Sequence, residues 1–562
     1  SQSTVAKLMQ SLAVSFDEHR EKYVRQWQRT HVEPQYDFSD RTTDDGSMFR
    51  LSRCVLLAHE DKTFQGALVA SMSIPWGDTK DDQDLGGYHL VWTRDLVQSA
   101  TALLATGQRA TPLRALIWLA ATQLPDGRFP QNSWINGEPY WCGVQLDEIA
   151  APILLAWRLR CEDVTLGQFD PRVMIFRAAG FLIRQGPVTA QDRWEESPGY
   201  SPSTLAMVIA GLVCAGEFAQ QSGDHETKEF ILNYADWLAA HIEDWTVTTR
   251  GERVNGFPRH YVRINPADPV SGEPSSDPDV TMINIANGGG AHPARNIVGG
   301  DFLHLVRLGI RSADDPIVRD SLHVIDQVLK YDLPQGPAWR RYNHDGYGQK
   351  DDGTAFDGTG VGRSWPILTG ERGHYEIAAG RDPAPFIAAM ETFANDGGMI
   401  SEQLWDAGES PECRMRRGRP TGAAMPLCWS HAEYLTLVRS AHDGISFDRV
   451  EPAYDRYVRT PMESRHEIWS FRYRTREVPR GKFLRCVLER AASIIWTTDA
   501  WATTNRTVPA HNRTLDLWFA DLPTKNCGAG SAIEFTFLWT DAQQWEGRNY
   551  STAVVERPSR SV

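Results

Sequence analysis

Two carboxylates stand side by side directly behind a tryptophan in "DRWEESPGYSPSTLA", where Glu195 and Glu196 follow Trp194. A carboxyl group packed against an indole loses hydration, which disfavours its charged form and raises its pKa. That is the state a general acid needs at neutral pH. The second carboxylate would either repel the first, if close, or accept a hydrogen bond from a bound hydroxyl. The plain alternative is a solvated acidic turn beside a core tryptophan. Protonating a glycosidic oxygen also calls for another carboxylate on the far side of the sugar, acting as base toward water or as nucleophile. "GGMISEQLWDAGES" offers Glu402 in a glycine-bounded loop, again close to an aromatic, Trp405. Asp95 in "HLVWTRDLVQSA" is a third candidate. Its neighbour Arg94 should keep it ionised, which makes it a poor acid and a better grip for sugar hydroxyls.

These residues need elements to hold them. Ser201 followed by Pro202 reads as an N-cap with proline in the first helical turn, which places Glu195 and Glu196 in the loop leading into that helix. From about 45 to 445 apolar periodicity predicts helix after helix, near 94–107, 112–123, 147–161, 171–185, 202–220, 226–242, 295–310, 315–330, 385–396 and 421–440, with one or two more between. Ten to twelve helices suggest paired hairpins. The connections 246–294 and 333–384 are too long to be turns, and long structured loops usually build a site.

Ahead of this region, residues 1–44 read as a helical linker, amphipathic to about Pro34 and then a charged loop. After about 446 the period changes to 2, in "HEIWSFRY", "SIIWTTD", "TLDLWFADLP" and "AIEFTFLWTD", and 446–562 reads as a small β-sandwich. Alternation turns Trp469, Trp518 and Trp539 inward, as packing rather than as a sugar-binding face.

The chain of 562 residues carries a net charge of −14, which argues against nucleic acid and an anionic membrane surface as partners. No apolar run is seen that approaches the roughly 20 residues of a membrane span, and the N-terminus lacks the apolar stretch of a signal peptide. Eight cysteines show no C-x-x-C spacing, so neither a zinc ribbon nor a thioredoxin-type centre is indicated, and disulfides stay open. Many of the twenty tryptophans lie in polar loops, such as "PYWCG" and "GRSWP", where indole faces suit stacking on sugar rings.

The motifs "GGYHLVWTRDLVQSATALLATGQ", "YWCGVQLDE", "RWEESPGYSPSTLA", "RRYNHDGYG", "GVGRSWPI", "SEQLWD" and "PLCWSHAEYL" occur in the order seen in the family 15 glycoside hydrolases, and from about 60 to 445 the chain resembles their bacterial glucoamylases and glucodextranases. The resemblance implies a mainly α fold, an (α/α)6 barrel, followed here by the small C-terminal β-sandwich. It implies release of single glucose units from non-reducing ends with inversion. Glu195 would be the general acid, Glu402 the general base, and Glu196 a ligand of the +1 sugar. Tyr88 would sit near the catalytic water, Arg94 and Asp95 would hold hydroxyls of the terminal glucose, and Arg341 would bind sugar. Trp92, Trp141, Trp194, Trp365 and Trp429 would line the pocket. The resemblance also implies a β-sandwich domain before the linker, expected as a separate or cleaved partner.

Inversion requires a water between base and sugar, so the two carboxyls should lie about 6.5 to 9.5 Å apart. If Glu195 sets the alkaline limb and an ionised Glu402 the acid limb, the pH optimum should fall on the acid side of neutrality. The leading substrates are α-1,4-glucans, with α-1,6 linkages as the alternative and a non-catalytic glucan-binding protein as the reading from another class. Intact Glu195 and Glu402 argue against the last. No metal or organic cofactor is needed; a structural calcium stays open, but no D-x-D-x-D-G loop supports one. A polymeric glucan is met outside the cytoplasm, so a secreted or periplasmic location is expected.

Overall fold

The computed structural model describes residues 2–28, 33–76, 87–274, 277–528 and 530–556. Ser1, residues 29–32 of the expected linker and the terminal 557–562 lie outside these. Two helices, α1 (Gln2–Leu12) and α2 (Phe16–Gln28), stand where periodicity predicts one. Ser15 explains the break. Its Oγ accepts the Glu18 N–H at 3.2 Å while the Glu18 carboxylate accepts the Ser15 N–H at 3.3 Å, a reciprocal cap that starts a new helix.

Among the described residues twelve helices follow up to residue 443: α3 (Ser47–Ala58), α4 (Thr93–Ala105), α5 (Ala110–Thr122), α6 (Leu146–Cys161), α7 (Arg172–Gln185), α8 (Pro202–Gln221), α9 (His225–Thr246), α10 (Leu303–Arg307), α11 (Pro316–Val328), α12 (Pro366–Ala378), α13 (Ala384–Phe393) and α14 (Cys428–Asp443), with one more short helix at Glu451–Tyr454. The even-numbered helices from α4 onward touch in succession, and α14 returns to touch α4, so six helices close a ring. Helices α3, α5, α7, α9 and α13 pack against ring members from outside. Helix α8 is buried along almost its whole length. By length and composition it reaches membrane-span proportions, which corrects the sequence reading, but its apolar faces are spent inside the ring.

Three segments differ from the periodicity. The stretch 295–310 yields only the short α10, preceded by 3₁₀ turns at Ala294–Asn296 and Gly300–Phe302, and 421–440 becomes helical only at Cys428. Helix α12 carries glycines where a core helix normally shows apolar residues. A Cβ at Gly370 would come 2.3 Å from Glu433 Cγ, and one at Gly373 2.9 Å from Leu437 Cδ1, so α12 and α14 approach too closely for side chains there.

The C-terminal strands form two sheets. One joins His466–Ser470, Phe483–Leu488 and Leu517–Pro523 to two shorter strands; the other is built on Ala492–Thr497, Ala532–Trp539 and Tyr550–Val555. Leu484, Cys486 and Leu522 of the first share a core with Ile494, Phe535, Phe537 and Val554 of the second. Trp469 and Trp539 are buried in it, while Trp518 is half-buried and stacks on His511 at 3.9 Å. Phe447, Val450, Ala453 and Tyr457 belong to the helical core, and the first C-terminal strand begins at His466. All eight cysteines are free thiols.

Candidate active site

Several of the candidate residues stand at or just before the starts of ring helices. A two-residue strand β1 (Val91–Trp92) runs directly into α4, placing Arg94 and Asp95 in its first turn. Trp365 immediately precedes α12 and Trp429 lies in the first turn of α14. The Ser201 hydroxyl caps α8 by accepting the Thr204 N–H, with Pro202 in the first turn, and the turn holding Glu195 and Glu196 lies just upstream. All twelve side chains singled out from the sequence line one cavity of about 380 Å³, within the range of small-ligand sites.

The turn at 192–197 is tightly specified. Asp192 accepts the Glu195 N–H through its carbonyl at 2.8 Å, and its carboxylate accepts the Glu196 and Ser197 N–H groups at 3.0 and 3.2 Å. Glu195 itself is left-handed, with φ +67°, a conformation that costs a non-glycine residue energy and recurs at functional sites. Behind it Arg193 pairs with Asp301 at 2.9 Å and Glu371 at 2.6 Å, tying the turn to the loop before α10 and to α12. The Arg193 guanidinium also lies 4.4 Å from the Trp194 ring, which meets Trp365 and Trp429 at 5.5 and 6.0 Å.

The environments of the two adjacent glutamates diverge. Glu196 is gripped by Arg341 at 3.0 Å, by Arg263 at 3.1 Å and by the Tyr342 hydroxyl. Arg341 in turn is held by both oxygens of Asp345 at 2.7 Å. Glu195 has one strong partner, Arg94 at 3.0 Å, and its side chain is 28% exposed, toward the cavity. Burial pushes its pKa up to about 7, against the opposing pull of Arg94.

Across the sequence, Glu402 is held by its N–H to the Ala424 carbonyl at 2.8 Å, while Leu404 N–H bonds Ser364 and thereby fixes the strand-like segment. Its Oε1 accepts the Tyr88 hydroxyl at 2.7 Å. Its Oε2 is buried and meets no donor among the described residues, which leaves an acceptor for a water proton. Burial raises the Glu402 pKa to about 7 as well, with Tyr88 as the largest opposing influence. Trp405 is not the source of this dehydration. It is buried away from the cavity, with its indole N–H on the Gly408 carbonyl and its face under Arg363.

Arg94 does not serve Asp95 alone. Its guanidinium bonds Gln145 at 2.7 Å and Glu195 at 3.0 Å and stands 3.6 to 3.9 Å from Asp95, Asp147 and Glu148. Divided so, it fails to hold Asp95 low, and burial raises that carboxyl above its usual value.

Several lining residues went unmarked by the sequence reading: Trp76, Asn287, Tyr347, Phe356 and Arg193. Tyr347 hydrogen-bonds the Tyr88 hydroxyl and so braces the group that holds Glu402. It lies within the quoted motif "RRYNHDGYG", where its place beside Asp345 is the signal that was available. Among the described residues no group of three or more His, Cys, Asp or Glu side chains is arranged to hold a metal ion.

A glucoamylase from Clostridium sp. is 43% identical over 450 residues, covering 80% of this chain and 60% of that protein. An uncharacterized glycosyl hydrolase of Methanocaldococcus jannaschii is 32% identical over 132 residues, 23% of this chain and 21% of its own. The crystal structure of a bacterial glucoamylase complexed with acarbose superposes with a TM-score of 0.71 at 42% identity, covering 82% of this chain and 64% of the other. A further glycosidase shares the fold at 18% identity with a TM-score of 0.50, covering 71% and 96%. The chain thus spans somewhat under two thirds of the length of its glucoamylase relatives. Glycosyl hydrolases family 15 matches residues 54–124 and 119–439, and with most of the helical ring inside that match, the chain belongs to this family.

Proposed function

We propose that the protein is an exo-acting, inverting hydrolase that releases β-D-glucose from the non-reducing ends of α-1,4-glucans, with Glu195 as general acid and Glu402 as general base. The observation that carries this is the meeting of the two carboxyls in one tryptophan-lined cavity, each dehydrated enough to exchange a proton near neutrality. Glu195 protonates the departing glycosidic oxygen. Glu402, steadied by Tyr88 through Oε1, takes a proton from water through Oε2 as that water attacks the anomeric carbon. Glu196, fixed by two arginines, accepts from a sugar hydroxyl, and Arg94 and Asp95 hold the terminal glucose. No cofactor enters this chemistry.

We read the helical ring and its outer helices, residues 45–445 together with the stretch to Tyr457 that joins their core, as an (α/α)6 barrel, the two C-terminal sheets, which begin at His466, as a β-sandwich, and residues 1–44 as a linker. The closed succession of ring contacts and the shared core between the sheets support this. The substrate also argues for a secreted or periplasmic location.

Maltotriose should be shortened one glucose at a time, and proton NMR in the first minutes should show the β-anomer. Appearance of α-glucose would overturn inversion, and absence of any glucose would overturn the hydrolase reading. Faster turnover of isomaltotriose than of maltotriose would move the linkage to α-1,6.

The pH dependence follows from the cavity. Below about 7 Glu402 takes up a proton and stops acting as base; above about 7 Glu195 loses the proton it must donate. The profile of kcat/KM on maltose should therefore be a narrow bell centred near neutrality, displaced from the acid-side optimum expected of an unburied base. A broad plateau reaching down to about pH 4 would show that Glu402 titrates like a free glutamate.

A further inference from the structure

The sheet that carries Trp92 continues beyond the cavity wall. Strands β2 (Asn132–Ser133) and β3 (Pro139–Trp141) extend β1, with Trp92 opposite Asn132 and Asn132 opposite Trp141. Trp92 is buried, whereas Trp141 is 40%, Tyr140 45% and Trp134 37% exposed. Their rings form a chain: Trp92 to Trp141 at 5.6 Å, Trp141 to Tyr140 at 5.5 Å, and Tyr140 to Trp134 at 5.3 Å. Each step is about the width of a pyranose ring. Trp141 belongs both to the cavity lining and to this outer row.

Exposed aromatic rings forgo the burial that would stabilise the fold, and a contiguous row of them marks an interaction surface. The hairpin holding them is braced. Its turn closes through Trp134 N–H to the Glu138 carbonyl and Gly137 N–H to the Trp134 carbonyl, at 2.9 and 2.8 Å. The Asn132 carboxamide oxygen accepts the Trp141 N–H, and Trp118 of α5 donates its indole N–H to the Ile135 carbonyl. Gly137, at φ +87°, is seated so close to α5 that a Cβ there would come 2.5 Å from Thr122 Cγ2. A ligand stacking on these rings would therefore have little backbone freedom to freeze.

We propose that Trp141, Tyr140 and Trp134 form an outer track on which the distal glucosyl units of a long α-glucan stack as the chain leaves the cavity, so that this hairpin sets the preference for chain length. The inference rests on the proposed hydrolysis and adds to it where the far part of the substrate lies. Continuity with the cavity fixes the occupant as the substrate's own chain. Successive rings are turned by 69°, 43° and 78°. That turning suits an α-linked chain, which curves, and not the flat ribbon of a β-1,4-glucan, which would ask for coplanar rings.

The test is the double variant Trp134→Ala/Tyr140→Ala, with kcat/KM measured along the series maltose, maltotriose and maltoheptaose. The loss should grow with chain length, reaching about tenfold on maltoheptaose and carried by KM, with maltose changed less than about twofold. The double variant Trp134→Phe/Tyr140→Phe should recover most of it. Equal loss on every substrate would place the effect in the fold of the hairpin and overturn the track, as would no loss on any. Calorimetric binding of maltoheptaose to the full chain carrying Glu402→Gln to suppress cleavage, with and without the double alanine change, reads the track independently of turnover. Unaltered affinity would overturn it, and cellohexaose should not compete. Failure of the unsubstituted protein to cleave any maltodextrin would instead be the failure of the hydrolase reading.

Discussion

Replacing Glu402 with glutamine is expected to lower kcat on maltose by about 10²- to 10⁴-fold while leaving KM nearly unchanged. The amide preserves the shape of the carboxyl and, with its oxygen toward Tyr88, preserves that hydrogen bond. At the position of Oε2 it puts an N–H₂ group, which donates and cannot take a proton from water. Because Oε2 has no donor among the described residues, this exchange removes the proposed base without breaking a protein contact. Azide, a nucleophile that needs no deprotonation, should restore part of the turnover and yield a β-glucosyl azide. Undiminished hydrolysis by the glutamine variant would remove Glu402 from the mechanism.

Glu195→Gln should cost a similar 10²- to 10⁴-fold on maltose, whose leaving oxygen needs a proton, and far less on α-glucosyl fluoride, whose leaving fluoride needs little help. The amide oxygen can still accept from Arg94, so binding geometry is retained. The contrast between the two substrates separates an acid from a binding residue. Equal losses on both would make Glu195 a binding residue and throw the role of acid open to Glu196. The structure gives Glu196 poor means to fill it, because Arg341, Arg263 and Tyr342 already occupy both of its oxygens.

Much of this was readable along the chain, for identifiable reasons. Trp194, Glu195 and Glu196 are adjacent in sequence, and their turn is local, ended by a serine cap and a proline. Helices with an exposed outer face, such as α9 and α11, kept the polar residues that make periodicity visible. What was lost depends on distance through space. Helix α12 is buried against neighbours on several sides and carries Gly370 and Gly373 where α14 comes closest, so no apolar stripe marks it. Glu402 looked like an ordinary ionised base because its burial is produced by groups remote in sequence. Asn287 reaches the cavity from the tip of a hairpin, Met282–Ile285 with Gly290–Pro293, inside a long connection whose path no local pattern specifies.

The ring described above also determines when in its own folding this protein can acquire a site at all. The last ring helix, α14, contacts α3 and α4, near the start of the helical region, and His431 bonds Ser52 across 379 residues of chain. That same helix brings Trp429, while Glu402 arrives in the loop just before it. During synthesis from the N-terminus, Glu195 and its arginine partner Arg94 are complete about two hundred residues before Glu402 exists beside them. Closing so long a span is slow, because the chain entropy is lost before the joining contacts form. A half-made molecule therefore presents Glu195 without Glu402, and under the proposed mechanism the onset of hydrolysis is itself a clock for the moment the circle shuts.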